Sequence, residues 1–422
     1  MSDFNYRQKA EALGYPLTEY ILHRIKMLHE AGEPPRTLFA ACPNSLTVIK
    51  AALRAAKRNH APILFAATLN QVDLDKGYTG MTQKIFVDTV RIEAESIHFT
   101  GPVIIAVDHG GPWLKDLQTL EKWPEKKAMD AVKKSFEASV DAGYDLIHVD
   151  PTVDIFLPQG ETIAIETVAQ RTVELIAHVE AYRQRTHAAP ISYEVGTEEV
   201  HGGLADESVF DRFLMLLKDG LHKENLNNVW PCFIVGKVGT DLHTTLFDTE
   251  VARNLTTKVA SFNSAIKGHY TDDVSNPEAY PLSGMGAANV GPEFTVSEYN
   301  GLMEAEGLET TLFRKGRIAR ISEISKKLEE AVVNSGRWKK WLQPEERHLA
   351  FDDLSQERKH WLTQTGCRYI WQNTEVLVAR EILFDNLNRN GIDAETIVLT
   401  PIEHAMDKYF TAFDLVNLNN KL

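Results

Sequence analysis

Three histidines stand just beyond apolar runs. His109 ends the run PVIIAVDHG (Pro102–Gly110), His243 follows PCFIVGKVG (Pro231–Gly239), and His269 lies in SAIKGHYTD (Ser264–Asp272). A neutral imidazole is the commonest protein ligand for a catalytic divalent metal, and three protein ligands leave coordination positions open for substrate. We therefore read His109, His243 and His269 as a candidate metal triad. His148 is the runner-up ligand: it lies in the run LIHVDPT, two residues before Asp150, and so on the same side of the strand. Carboxylates accompany them. Asp108 precedes His109, and Glu194 and Glu198 sit in YEVGTEEVHGG. A carboxylate beside a metal and a second carboxylate can acquire a pKa suited to proton transfer. Asp108 and Glu194 are the candidate acid/base pair, with a structural ion pair to a lysine as the alternative for Glu194.

These residues need a scaffold that brings distant segments to one face. From about residue 37 to 309, short apolar runs alternate with amphipathic helices. Eight strands are read, near 38–44 and over 62–70, 102–110, 146–152, 190–197, 231–239, 264–272 and 283–291. Most are continuous apolar runs, the pattern of parallel strands covered on both faces. In PEKKAMDAVKKSFEASVDAG, Ala128, Val132, Phe136 and Val140 form one helical stripe, with Pro124 before it and Gly143 after it. Eight strand–helix units predict a (β/α)8 TIM barrel, and an open doubly wound sheet is the alternative. Residues 1–36 add a helical segment. Residues 310–422 read as an all-helical extension holding four of the seven tryptophans, packed on the barrel or forming a subunit interface; a homo-oligomer is expected. The basic run FRKGRIAR within it reads as a solvated helix face.

In a barrel, chemistry collects at the C-terminal ends of the strands. There the sequence places Ser45, Asn70, Gln71, Lys237, Lys267, Gly268 and Asn289, which we expect to contact substrate. Lys237 and Lys267 are the candidates for a phosphate or a developing oxyanion, with Lys115 behind them. Gly110–Gly111, Gly202–Gly203, Gly268 and the run GMGAANVG are expected where backbone meets ligand or turns sharply.

The chain has 422 residues, 43 % of them hydrophobic, and a formal net charge of -14, which argues against nucleic acid or an anionic membrane as partner. Cys42, Cys232 and Cys367 form no CxxC pair, and no run of about 18 apolar residues occurs, so a cytoplasmic protein without a disulfide framework is expected. A Walker A motif is absent, as is a GxGxxG opening a helix after the first strand.

The segments LFAATLNQVDLDKGYTGMT, VDHGGPWLKD, IHVDPTVD, YEVGTEE, GTDLHTT, KGHYTDDVSNP and GMGAANVGPEF resemble the non-catalytic subunit family of tagatose-1,6-bisphosphate aldolase. Within it, the branch of fructose-6-phosphate/tagatose-6-phosphate 4-epimerases is most similar. The resemblance implies a barrel like that of the metal-dependent class II aldolases. It implies Asp108 as acid/base, His109, His243 and His269 on the metal, and Asn289 on substrate. The metal would be zinc, nickel, cobalt or manganese, and the substrate a ketohexose phosphate. Carbon 4 of a ketohexose is not adjacent to the C2 carbonyl, so its hydrogen is not acidic. Epimerisation there calls for retro-aldol cleavage between C3 and C4 and recombination on the other face of the aldehyde. A lyase that releases the aldehyde, and an assembly subunit that stabilises an aldolase partner, are the competing expectations.

Overall fold

The computed structural model describes residues 4–158, 161–196, 207–240 and 246–422. His243, Glu198, Gly202 and Gly203 lie outside them. Eight strands run β1 (Leu38–Ala41), β2 (Ile63–Thr68), β3 (Val103–Gly110), β4 (Leu146–Val149), β5 (Ser192–Gly196), β6 (Phe233–Val235), β7 (Ala265–Gly268) and β8 (Ala287–Val290). They close into a barrel in chain order. β1 pairs in parallel with β8 from Leu38 opposite Ala287 to Ala41 opposite Val290, which excludes the open sheet. The fold is a TIM barrel with added C-terminal helices.

Two helices, α1 (Phe4–Ala12) and α2 (Leu17–Glu30), precede the barrel. Between strands come α3 (Leu46–Arg58), α4 (Gln83–Ser96), the short α5 (Asp116–Leu120), α6 (Glu125–Ala142), α7 (Ile165–Thr186), α8 (Glu207–Lys223), α9 (Thr249–Ala260) and the single turn α10 (Ala279–Leu282). After β8 follow α11 (Pro292–Arg314), α12 (Ile324–Ser335), α13 (Gln356–Gly366), α14 (Thr374–Asn388) and α15 (Ala394–Ala412). Their starts have local causes. Side-chain oxygens of Ser45, Thr82, Asp248, Asn373 and Asp393 accept backbone N–H groups in the first turns of α3, α4, α9, α14 and α15.

The chain has two apolar cores. One is the barrel with its helices; the other gathers α12–α14 around Trp338 and Trp371 and includes Tyr299, Leu302 and Ala305 of α11. The last helix returns to the first core. Leu399, Ile402, Met406, Tyr409 and Phe410 of α15 are buried there, and Tyr409 stacks on Phe39 of β1 at 5.5 Å. The basic run is solvated as expected but is not a helix face: α11 ends at Arg314, and Lys315, Arg317 and Arg320 lie exposed in the turn beyond it.

The second core is fastened to the barrel mouth. Trp371 donates Nε1–H to Asn44 Oδ1 at 3.3 Å, just beyond β1. Arg380 reaches Glu298 at 2.9 Å and Thr47 at 2.8 Å. Arg337 and Lys340 both pair with Asp116, beyond β3. The C-terminal helices thus form a wall beside the strand ends.

Candidate metal centre and active site

Successive residues of a strand point to opposite faces, so Asp108 and His109 should not share one. The backbone resolves this. The β3–β4 register shifts between Val107 and Gly110, and His109 adopts a φ of 48°. A bulge of this kind turns one side chain to the other face, at a conformational cost of ~1–2 kcal/mol for a non-glycine residue. Asp108, His109, His148 and His269 then place ligand-type atoms within 4.8 Å of one another.

The flanking glycines serve the bulge. A Cβ at Gly111 would lie 1.8 Å from the Asp150 carbonyl oxygen, and one at Gly110 would lie 2.4 Å from Phe136. The close approach is therefore by the neighbouring strand's end and a helix, at the place where the chain bends. Of GMGAANVG, Gly284 and Gly286 precede β8 and sit at the opposite end of the barrel from the chemistry.

The contacts of the two rings point to one arrangement of the imidazole protons. His109 Nδ1 is 2.6 Å from Asp150 Oδ2, and His269 Nε2 is 2.9 Å from Glu194 Oε1. A ring nitrogen facing a carboxylate carries the proton. The bare nitrogens, His109 Nε2 and His269 Nδ1, face each other at 2.8 Å. Two lone pairs converging on one point, each backed by a carboxylate, form the carboxylate–histidine–metal arrangement. The donor set therefore fits a divalent ion. Burial pushes the His109 pKa down, but the charges of Asp108, Asp150 and Glu194 outweigh it and lift it to about 9. Burial pushes His269 down to about 4.

His148 has different contacts. Its Nδ1 meets the backbone N–H of His109 at 3.1 Å and lies 3.5 Å from Asp108 and 3.6 Å from Glu194, while its Nε2 is buried without a partner. The contact with the His109 amide braces the bulge, and the ring remains one of the four ligand-type groups of the cluster.

The carboxylates divide likewise. Glu194 is fully buried; Lys267 Nζ lies 3.0 and 2.7 Å from its two oxygens. Burial raises its pKa, but Lys267, His148 and His269 hold it at about 2. Asp108 stays ionised well below the usual carboxylate range: burial opposes this, and His109, His269 and Lys267 overcome it. Its contacts, to Asn289 Nδ2 at 3.0 Å and to His148, Lys267 and His269 at 3.5–3.9 Å, all fall on Oδ1. Asn289 keeps a buried Oδ1 without a partner.

The remaining expected contacts separate from this cluster. Ser45 caps α3 and donates to Glu298 at 2.6 Å. Gln71 bonds the Pro43 carbonyl at 2.7 Å and the Thr68 amide at 2.8 Å. Asn70 braces the loop after β3 through the Leu114 carbonyl at 2.9 Å and the Asp116 amide at 3.0 Å. Each has its polar atoms engaged by protein. Lys267 has no exposed surface, and Lys115 is paired with Asp73 and Asp75. Lys237 is half-buried and makes no ion pair to a described residue. A Cβ on Gly268 would lie 3.1 Å from Met285 and 3.2 Å from Tyr280, so packing accounts for that glycine. Asp150 and the bracing role of His148 were the residues the sequence did not single out for these tasks. The spacing His148–Asp150 at the end of β4 was the visible signal.

This is a TIM barrel whose strand ends hold a cluster of aspartate and histidine suited to a divalent metal. Residues 22–409 match the family described as D-tagatose-1,6-bisphosphate aldolase subunit GatZ/KbaZ-like, and the chain belongs to that family. Among solved structures it is similar to a probable tagatose 6 phosphate kinase from Sinorhizobium meliloti 1021, at 21 % identity and a TM-score of 0.72, covering 89 % of this chain and 100 % of that one. It is also similar to fructose-bisphosphate aldolase from Campylobacter jejuni, at 12 % identity and a TM-score of 0.55, covering 95 % of each chain. These structures share the fold. No described helix is long and apolar enough to cross a membrane.

Proposed function

We propose that this protein performs class II aldolase-type chemistry on a ketohexose phosphate: cleavage, and re-formation, of the bond between C3 and C4. The observation that carries the reading is the pair of ring nitrogens His109 Nε2 and His269 Nδ1, facing each other at 2.8 Å, their rings backed by Asp150 and Glu194. A divalent metal held there, with His243 as the proposed third ligand, would act as a Lewis acid on the ketose carbonyl. Asp108 is charged and has Oδ2 free of these contacts, so it takes the C4 hydroxyl proton as the bond breaks and returns it on recombination. Asn289 Oδ1, without a protein partner, is the open acceptor for a substrate hydroxyl. Glu194 orients His269 and neutralises Lys267; with both oxygens engaged, it does not exchange protons with substrate.

The net reaction we favour is 4-epimerisation between fructose 6-phosphate and tagatose 6-phosphate, in which the aldehyde fragment is retained and turned. The family's description as an aldolase subunit supports a second reading, in which the chain works in assembly with an aldolase partner. One experiment separates them. The protein alone, stripped with chelator and resupplied with zinc, nickel, cobalt or manganese, is incubated with fructose 6-phosphate in the presence of a triose phosphate trap. Metal-dependent tagatose 6-phosphate without trapped triose supports the epimerase. Trapped triose identifies a lyase. No product from the chain alone contradicts both and favours the subunit role.

A further inference from the structure

We propose that Arg368, carried by the C-terminal helical wall, anchors the anionic end of the substrate across the mouth from Asp108. This rests on the aldolase-type reading and fixes its substrate as a phosphorylated ketose rather than a free one.

A phosphate in this fold commonly sits on backbone N–H groups after the seventh and eighth strands. Here that place is filled by the protein. The N–H groups of Gly291 and Glu293, at the start of α11, both donate to Asp272 Oδ1, at 2.9 and 2.8 Å. The lysines are committed as well: Lys267 to Glu194, and Lys115 to Asp73 and Asp75.

Arg368 differs. Its Nε is buried without a hydrogen-bond partner, and its guanidinium makes no ion pair among the described residues. Its carbon Cζ lies 5.7 Å from the Tyr369 ring and 5.9 Å from the Trp341 ring. Arg36, Arg171 and Arg380 by contrast have carboxylates: Glu33, Asp154 and Glu298. Arg368 is half-buried: its Nε–H is withdrawn from water without a partner, which is costly, and its guanidinium has no counter-ion among the described residues, so it is available to an anion that visits. The position suits one. The turn Cys367–Tyr369 is fixed over the mouth by Trp371 on Asn44 and by Tyr369 against Tyr78, ring to ring at 5.3 Å. Cys42, just beyond the end of β1, stands two residues before Asn44, the residue that Trp371 holds. A ketose phosphate lying over Cys42 would present its carbinol carbons to Asp108 and its phosphate to Arg368. The planar fork can then grip two phosphate oxygens at once.

The test measures binding by calorimetry for the metal-loaded protein with three probes: fructose 6-phosphate, fructose and inorganic phosphate. For Arg368→Gln we expect fructose 6-phosphate to bind ~30-fold or more weakly, the loss of charge-assisted bonds, with fructose changed less than about twofold. Inorganic phosphate should compete with fructose 6-phosphate in the unmodified protein and not in this variant. Arg368→Lys, which keeps the charge, should recover part of the affinity and guards against a folding defect. Unchanged binding of fructose 6-phosphate by Arg368→Gln overturns the proposal, as does loss of binding in Lys237→Gln instead. Arg368-dependent binding without turnover would leave the anchor standing and defeat the aldolase-type reading.

Discussion

His109 and His269 are each held by a carboxylate through the nitrogen that does not face the site, and this division decides what the cluster can do. A ligand whose far nitrogen loses its carboxylate partner binds metal more weakly by ~10–100-fold. We expect Asp150→Asn and Glu194→Gln both to show that loss in competition with a chromogenic chelator. They should differ in stability. Glu194→Gln strips Lys267 of its buried counter-ion, and removing one partner of such a pair costs ~3–5 kcal/mol. Asp150→Asn should unfold close to the unmodified protein in a urea titration. Equal destabilisation would show that the Lys267–Glu194 pair is not what holds the barrel interior. Asp108, His109, His148, His269 and Asn289 were legible in the sequence as polar groups where apolar strands end. The ion pair of Glu194 with a lysine was legible as an alternative, but which lysine was not, nor was the task of Asp150, because each depends on a partner more than 40 positions away. Residue type gives no account of which carboxylate oxygen meets which nitrogen.

The bulge in β3 carries the element scale. The run PVIIAVDHG reads as a regular strand, and regular alternation would send His109 outward. What turns it inward is the φ of 48° and the shifted register to β4, neither of which has a hydrophobic period. Gly111→Ala tests the device directly. Its Cβ would meet the Asp150 carbonyl oxygen at 1.8 Å, so β3 and the end of β4 must part. Overpacking of this kind costs ~1–3 kcal/mol, and we expect lower thermal stability together with weakened metal retention. Reduced stability with full metal retention would separate the bulge from the site. A second element-scale prediction concerns the start of α11. Burial raises the Asp272 pKa from 3.8 to about 6, with Glu293 adding and the backbone bonds from Glu293 and Gly291 and the charge of Arg368 opposing. The folded state thus holds this proton more tightly than the unfolded chain. The contribution is fully present below about pH 4 and is lost as pH rises through 6. Asp272→Asn mimics the protonated form. Its melting temperature should exceed that of the unmodified protein at pH 7.5, and the gap should close at pH 4. A gap that stays constant with pH would refute the assignment.

At the scale of the whole molecule, the end of the chain completes the barrel. α15 lays Tyr409 and Phe410 on Phe39 of β1, and Leu399, Ile402 and Met406 join the same core. Removing residues 394–422 should therefore leave a chain that fails to fold, with the apolar backs of β1 and β8 uncovered; a soluble, cooperatively melting product would contradict this. The eight-strand alternation was legible because each unit repeats the same local pattern. The return of α15 was not, because its apolar stripe looks the same whether it meets the barrel, the helical extension or another copy. The same holds for the wall that sets Arg368 over the strand ends.

The account stands on the converging nitrogens of His109 and His269, and metal content tests them most directly. Protein stripped with chelator, dialysed against zinc and separated from free ion would be analysed for metal per chain, beside His109→Ala and His269→Ala. The account predicts one tightly held ion per chain, lost in both variants while their circular dichroism stays that of the folded protein. Retention unchanged in either variant, or no retention by the unmodified chain, would contradict it.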